Sequence, residues 1–297
     1  MRKFNQIAIP DGNSRITGFI DRFQPYSHHP IRRYDREPRS EVAFIERAKS
    51  ADCLLVGWST TLTGKIISAC KRLEYIGLAA TLFSGKGANI DLETAGANHI
   101  TVNGVSDYGD AGVVEFVLSE IIQHIKYGRT NTELGSQNVG VIGMGTAGSQ
   151  VAEALKYFGA NVFYYSRNRK PDIENSEIAY FPLDELLRKV DIISIHVPRN
   201  TMVLTEKELA RFTSGKVIIN TSVGLPIEKA ALLNWLSDPS NRLIIDSDGI
   251  GYLTDLAVEF ENIRAYPRCA GFTAEAQKRL IDKVENNIIA FLKSKTA

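Results

Sequence analysis

Cysteines are few in this chain, and their placement excludes two kinds of architecture. The chain has three, Cys53, Cys70 and Cys269, which are odd in number and widely separated. They match neither a zinc-ligand spacing nor a disulfide framework. We therefore expect no metal site, and we expect the protein to work in a reducing compartment, the cytoplasm.

Unbalanced charge and long apolar runs are also lacking. The 297 residues include 35 basic and 34 acidic side chains, for a net charge of +1. Such a balance produces no strong field for nucleic acid or an anionic membrane, so we expect neither partner. No apolar run approaches the length of a membrane span, and the start MRKFNQIAIPDG lacks a signal-peptide core. The length suits two domains of ordinary size.

The middle of the sequence contains a glycine-rich turn between two predicted strands. Residues 139–142 are a short apolar run that predicts a buried strand, and residues 161–166 predict the next one. Between them Gly143, Gly145 and Gly148 follow the spacing G-x-G-x-x-G. A strand, a glycine turn, a helix and a second strand are the context that a dinucleotide-binding site requires.

A helix is predicted to begin within this turn. Val151, Leu155 and Phe158 recur at helical spacing and predict its buried face, and Gly159 ends it. We expect the exposed N–H groups of its first turn, those of Thr146 and Ala147 included, to face the phosphates. Each glycine has a separate task in such a site. Gly143 permits the tight turn, Gly145 leaves room for a pyrophosphate, and Gly148 lets the helix lie close to the strand.

The end of the second strand indicates which cofactor is preferred. A site for NAD usually has an acidic residue there, which accepts hydrogen bonds from the ribose. This chain has Ser166 and Arg167 instead, and the first acidic residue after them is Asp172. Serine and arginine can bind a 2′-phosphate by charge-assisted hydrogen bonds, whereas a carboxylate would repel it. A solvated basic loop is the alternative, but the position favours NADPH over NADH.

Strands and helices alternate along the rest of the chain, which predicts parallel sheets covered on both faces. Residues 24–36 (QPYSHHPIRRYDR) are polar and predict a loop. Further strands are predicted at residues 6–10, 52–57, 75–83, 100–103, 178–181, 190–197, 216–222 and 243–246. A long apolar helix over residues 110–126 leads to the glycine turn, and another helix closes the chain.

Several motifs beyond the glycines resemble those of the D-isomer-specific 2-hydroxyacid dehydrogenase family. They are SGKGANIDLETA (residues 84–95), YGDAGVVEFVL (108–118), VDIISIHVP (190–198), INTSVGLPIEKAAL (219–232) and AYPRCAGFTAEAQ (265–277). The resemblance implies an α/β fold of two doubly wound parallel-sheet domains with a cleft between them, and a homodimer. A Rossmann NAD(P)-binding domain, residues 104–271, is inserted into a flavodoxin-like substrate domain, residues 1–103 and 272–297.

The resemblance also assigns residues to the cofactor. Thr221 and Ser222 are expected near the nicotinamide ribose and Asp246 near the carboxamide. His196 and Pro198 are expected to flank the adenosine side, although a packed strand-end residue is an equal alternative for His196.

The family's usual catalytic groups are missing from their places. Its substrate-binding arginine normally stands in an (A/S)RG sequence, and this chain has Val223 there. Its histidine, the proton donor, normally follows a proline, and this chain has Arg268 after Pro267. Its glutamate normally follows an aspartate such as Asp246 by a few residues, and none stands there. Since a positioned acid contributes about 10²–10⁴-fold, this loss indicates a diverged function.

Two hypotheses follow from this loss. The first is an NADPH-dependent oxidoreductase for an atypical small carbonyl, imine or 2-oxo acid, in which Arg268 binds the anionic group. An arginine stays protonated and is a poor general acid, so Lys86 and Tyr108 are the candidate proton donors. A surface lysine and a packed tyrosine are the ordinary alternatives for these two. The second hypothesis is a catalytically inactive NAD(P)-binding regulator or scaffold.

Overall fold

A computed structural model describes residues 2–12, 14–83, 88–128, 131–174, 177–253 and 259–295. The chain divides into two compact units. The first unit comprises Met1–Tyr108 and Ala274–Ala297, and the second comprises Gly109–Thr273.

The first unit is built around a five-stranded parallel sheet. Its strands are β1 (Ile7–Ile9), β2 (Arg32–Arg33), β3 (Cys53–Gly57), β4 (Tyr75–Ala79) and β5 (Thr101–Asn103). Its helices are α1 (Ser14–Thr17), α2 (Ile20–Phe23), α3 (Glu41–Ala48), α4 (Gly64–Ala69), α5 (Leu92–Ala97) and α12 (Ala274–Ser294), with a short 3₁₀ turn at Gln24–Tyr26. The strand order β2-β1-β3-β4-β5 is that of flavodoxin-like folds.

Alternation along the strands gives this sheet two apolar faces. Leu55 of β3 packs in one cluster with Leu280 and Val284 of α12, while Leu54 packs in another with Phe44 of α3. Because helices cover both faces, the three inner strands β1, β3 and β4 are buried along their whole length, whereas the edge strands β2 and β5 are not. Residues 104–108 belong to this unit, since α12 side chains donate hydrogen bonds to their carbonyl oxygens.

The second unit is built around a seven-stranded parallel sheet. Its strands are β6 (Asn138–Ile142), β7 (Asn161–Tyr165), β8 (Ala179–Tyr180), β9 (Ile192–Ile195), β10 (Val217–Asn220), β11 (Arg242–Ile245) and β12 (Ile263–Ala265). Its helices are α6 (Asp110–Tyr127), α7 (Thr146–Tyr157), α8 (Pro171–Glu174), α9 (Leu183–Lys189), α10 (Glu206–Leu209) and α11 (Lys229–Leu236), with 3₁₀ turns at Leu134–Ser136 and Gly251–Leu253.

The order of these strands is β8-β7-β6-β9-β10-β11-β12. Counted from the unit's own first strand, it is the Rossmann order 3-2-1-4-5-6 with one more strand at the edge. Both faces are again covered. Val151 and Leu155 of α7 pack on one face, and Leu232 and Trp235 of α11 pack on the other. The expected fold class, two doubly wound parallel sheets, is confirmed.

Three local expectations are wrong. The polar residues 24–36 contain the edge strand β2, and β12 was not predicted at all. Edge strands of two or three residues carry too few side chains for a periodic pattern. Phe158, expected on the buried face of α7, is 58% exposed because the helix ends at Tyr157.

No helix in the described part of the chain is both long enough and apolar enough to cross a membrane.

Candidate functional site

One edge of the seven-stranded sheet brings most of the predicted cofactor residues together. Each directly follows a strand at its carboxyl end: Asp246 after β11, Thr221 and Ser222 after β10, His196 after β9, Gly143 after β6 and Ser166 after β7. Because all these strands are parallel, their carboxyl ends meet at the same edge. The order of the strands reverses beside β6, and ligands of α/β sheets bind at such a switch point.

The glycine turn after β6 is closed by contacts that leave no room for side chains. Gly143 has φ +95°, and a Cβ there would lie 2.1 Å from the carbonyl oxygen of His196. A Cβ at Gly148 would lie 1.9 Å from the carbonyl oxygen of Gly143. At Gly145 a Cβ would meet no atom within 4 Å. The turn is therefore held tightly at its first and third glycines and open at its second.

The open glycine lies at the positive end of a helix. Gly145 caps α7, and Gly145 and Thr146 are exposed. The N–H groups of the first turn, including those of Thr146 and Ala147, have no acceptor within the helix, and the helix dipole adds positive potential. An open, positive backbone turn of this kind fits the pyrophosphate of a dinucleotide.

The loop after β7 contains two arginines in different states. Arg169 pairs with Glu174, its Nε lying 3.1 Å from Oε1 and its Nη2 2.5 Å from Oε2, and it also stacks over Tyr180. Arg167 is exposed and makes no hydrogen bond or ion pair with any residue that the structure describes. The hydroxyl of Ser166 donates to the carbonyl oxygen of Asn168, which fixes the start of the loop. Arg167 is thus available to a ligand and Arg169 is not.

His196 has an enclosed imidazole. Its Nε2 lies 2.8 Å from the hydroxyl of Ser194, and its Nδ1 lies 3.3 Å from the hydroxyl of Thr221. Burial lowers the pKa of His196 to about 4, because a charged ring would lose its hydration there. The ring is therefore neutral at physiological pH, and its two hydroxyl partners hold it in place beside the glycine turn.

The lowered pKa of His196 predicts a pH dependence of stability. The pKa of His196 falls from 6.5 to about 4 on folding, so below pH 6.5 the unfolded chain binds the proton first. The free energy of unfolding should then fall by up to about 1.4 kcal/mol per pH unit between pH 6.5 and 4. Urea denaturation of the wild type and of His196→Gln at several pH values measures the difference in slope. Parallel slopes for the two chains would contradict this assignment.

Two buried polar residues fix the loops after β9, β10 and β11. The hydroxyl of Ser222 accepts the N–H of Val197 at 2.9 Å and donates to the carbonyl oxygen of Ile195 at 3.1 Å. Asn220, which is fully buried, donates to the carbonyl oxygens of Gly224 at 3.0 Å and Gly249 at 3.1 Å.

Sequence reasoning missed Asn220 and Ser194. Each is a polar residue in an otherwise apolar strand, in VIIN and in IISI. Burying such a group costs free energy unless it is hydrogen-bonded, so this pattern is a usable signal. It indicates a side chain that supports the loops around a site.

Asp246 joins the loop of Arg268 to the same edge. Its carboxylate accepts the N–H of Gly249 at 2.7 Å and that of Ala270 at 2.8 Å, and it is 1% exposed. Burial raises the pKa of Asp246, and these backbone donors oppose that rise. The N–H of Ser247 also donates to the carbonyl oxygen of Arg268 at 3.3 Å. The side chain of Arg268 is exposed and makes no polar contact with the residues that the structure covers.

The remaining predicted residues have other settings. Pro198 is exposed, and its carbonyl oxygen accepts the N–H of Thr201 at 3.2 Å. Tyr108 is in the first unit, where it packs against the core cluster around α12. Lys86 lies outside the described residues. Val223, where the family has its arginine, is half-buried between Ser222 and Gly224.

Comparison with known proteins gives consistent matches. The model of the family described as D-isomer specific 2-hydroxyacid dehydrogenase, NAD binding domain, matches residues 119–245. A hydroxypyruvate reductase of Blautia hydrogenotrophica is 25% identical over 294 residues, which cover 88% of each chain. A glyoxylate reductase of Korarchaeum cryptofilum is 24% identical over 86% of this chain and 84% of its own.

Among solved structures, an acyclic imino acid reductase in complex with NADPH and D-Arg is similar. It is 25% identical with a TM-score of 0.78, and the match covers 98% of each chain. The D-lactate dehydrogenase of Aquifex aeolicus, complexed with NAD and lactic acid, shares the fold at 22% identity and a TM-score of 0.79, over 98% of this chain and 96% of its own. Residues 119–245 thus match the NAD-binding domain of the D-isomer-specific 2-hydroxyacid dehydrogenase family, and the chain as a whole is similar to reductases over most of its length. With the motifs and the two parallel sheets, these matches support membership of that family of oxidoreductases.

Proposed function

We propose that this chain is an NADPH-dependent oxidoreductase that reduces the C=N bond of a small imine carrying an anionic group. The observation that carries the proposal is that the chain has an arginine at a different position from the family's substrate-binding arginine. The arginine position is taken by Val223, while the uncommitted Arg268 lies on a loop that Asp246 fixes at the same edge of the sheet. Arg268 binds the anion of the substrate, because a guanidinium forms paired hydrogen bonds with a carboxylate.

The nucleotide cofactor is held by the glycine turn and by the loop after β7. The N–H groups at the start of α7 bind the pyrophosphate, and Ser166 with Arg167 binds the 2′-phosphate. To do so, the hydroxyl of Ser166 leaves the carbonyl oxygen that it contacts in the free chain and donates to the phosphate. When bound, the nicotinamide supplies a hydride. His196, Thr221, Ser222 and Asp246 keep the surrounding loops in position by the hydrogen bonds described above.

An imine also accounts for the missing acid. Reducing a carbonyl creates an alkoxide that needs a proton, and the family's histidine is absent here. An imine nitrogen is basic enough to arrive protonated, so hydride addition yields a neutral amine with no donor in that step. The NADPH and D-Arg of the similar imino acid reductase support this choice.

Lys86 and Tyr108 stay candidates for a proton donor if the substrate is a carbonyl compound. The homodimer and the cytoplasmic location stay predictions.

The cofactor preference predicts a selective effect of Arg167→Ala. Loss of a charge-assisted hydrogen bond should weaken NADPH binding about 10- to 100-fold, while NADH, which has no 2′-phosphate, should bind nearly as before. Equilibrium titration of both cofactors measures this difference. Arg169→Ala is the matched control, because Glu174 already holds that guanidinium. An equal loss for the two cofactors would exclude the 2′-phosphate contact.

The second hypothesis, a catalytically inactive regulator, keeps the same cofactor residues. It is favoured by Val223 and by the missing histidine and glutamate. It predicts NADPH binding with no turnover of 2-oxo acids, whether alone or mixed with amines.

A further inference from the structure

A cavity of about 540 Å³ lies at the amino ends of the strands of the first unit. The polar residues lining it are Asn5, Gln6, His29, Arg32, Ser50 and Arg72. They come from chain segments just before β1, β3 and β4 and from the start of β2. Because the sheet is parallel, these starts meet at one edge. This edge lies opposite the carboxyl ends of the strands. Substrates of α/β sheets bind at the carboxyl ends.

Two guanidinium groups give this cavity its charge. Nη1 of Arg32 donates to the hydroxyl of Ser50 at 2.6 Å, which holds the guanidinium at the cavity. The Arg72 side chain makes no hydrogen bond or ion pair with any described residue. Neither arginine is paired with a carboxylate within the described ranges of the chain.

The nearby carboxylates are already committed. Asp52 accepts the N–H groups of Asn5 at 2.6 Å and Gln6 at 2.9 Å. Glu74 pairs with Arg2 at 2.7 Å. Each acid is thus held by other donors, and neither forms an ion pair with Arg32 or Arg72 within the described part of the chain.

We propose that this cavity is a second ligand site, which binds a small phosphate-bearing anion. Guanidinium groups form paired hydrogen bonds with phosphate oxygens. The amide of Asn5 and the hydroxyl of Ser50 add uncharged polar groups, and the volume exceeds what a bare ion needs. A free phosphate ion and the phosphate group of a small organic molecule share this chemistry. The site is independent of the proposed reductase activity.

Isothermal titration calorimetry with inorganic phosphate and with glycerol phosphate tests the proposal. We expect saturable binding to the wild type that weakens about tenfold or more in both Arg32→Ala and Arg72→Ala. Tighter binding of glycerol phosphate would identify an organic phosphate as the ligand class, and equal binding would identify the ion itself. Arg33→Ala is the matched control, since successive side chains of a strand point to opposite faces.

The nucleotide site must be separated from this one, since it also binds phosphate groups. We expect Arg167→Ala to retain the phosphate binding, and saturating NADPH to leave it in place. Loss of phosphate binding in Arg167→Ala alone would assign it to the nucleotide site and overturn the proposal. The proposal would also be overturned if phosphate bound equally well to the wild type, Arg32→Ala and Arg72→Ala, or if it bound to none of the three. Melting curves show whether the variants fold, and lysine replacements serve for any alanine variant that does not.

Discussion

Replacing Gly148 by alanine is expected to unfold or severely weaken the second unit. The new Cβ would lie 1.9 Å from the carbonyl oxygen of Gly143, which is backbone and cannot rotate away. Either α7 moves off the sheet, which opens the packing of Val151 and Leu155, or the turn distorts. Overpacking costs about 1–3 kcal/mol and occasionally more, and because this clash is with backbone we expect a loss of about 3 kcal/mol in the free energy of unfolding. Urea denaturation measures it.

Gly145→Ala separates the cofactor site from the fold. Its Cβ meets no atom within 4 Å and its φ is −78°, so the chain should keep its stability. NADPH binding should nevertheless weaken strongly, because the methyl group occupies the side from which the pyrophosphate approaches. Gly96→Ala on α5 is the control, since there too a Cβ meets nothing. Wild-type stability for Gly148→Ala, or wild-type NADPH affinity for Gly145→Ala, would contradict the roles given to these glycines.

The second large effect is expected for Arg268→Ala. If Arg268 binds the anion of the substrate, its loss removes a paired charge-assisted contact, and kcat/KM should fall at least about 100-fold. NADPH affinity should not change, because Arg268 is assigned to the substrate. NADPH oxidation with glyoxylate or pyruvate in the presence of ammonia or an amine measures turnover. Arg268→Lys retains the charge and should restore part of the activity.

Arg188→Ala is the matched control for this experiment. Arg188 is exposed on α9 in the same unit and has no polar partner among the described residues. Its replacement should leave both turnover and cofactor affinity unchanged. Full activity in Arg268→Ala would show that the anion is bound elsewhere, whereas an inactive wild type that still binds NADPH would favour the regulator.

The parts of the fold that were predicted correctly depend on local patterns. Residues 139–142 and 161–166 are apolar runs beside a glycine spacing, and the structure has β6 and β7 there. Whether β2 and β12 form, and whether Phe158 is buried, depends on neighbouring elements. A two-residue edge strand forms because its neighbour offers free backbone groups, and Phe158 becomes exposed because α7 ends one residue earlier.

Some features of the candidate site could also be predicted from the sequence, and others could not. The residues after each strand could be placed at one edge because a parallel order follows from alternating strands and helices. The sequence could not show that Arg169 is held by Glu174 while Arg167 is free, or that Asp246 binds the backbone of the Arg268 loop. The first contact depends on how one short loop folds back over five residues, and the second joins loops 24 residues apart, so no periodic pattern predicts either.

The most direct test of the proposed function is a side-by-side equilibrium titration of the purified chain with NADPH and NADH. Because Arg167 is free and no carboxylate stands at the end of β7, we expect NADPH to bind at least about tenfold more tightly. Equal affinities, or a preference for NADH, would contradict the assignment of Ser166 and Arg167. If neither cofactor bound, the glycine turn would have to be regarded as an inherited feature of the fold, and both the reductase and the NADPH-binding regulator would be excluded.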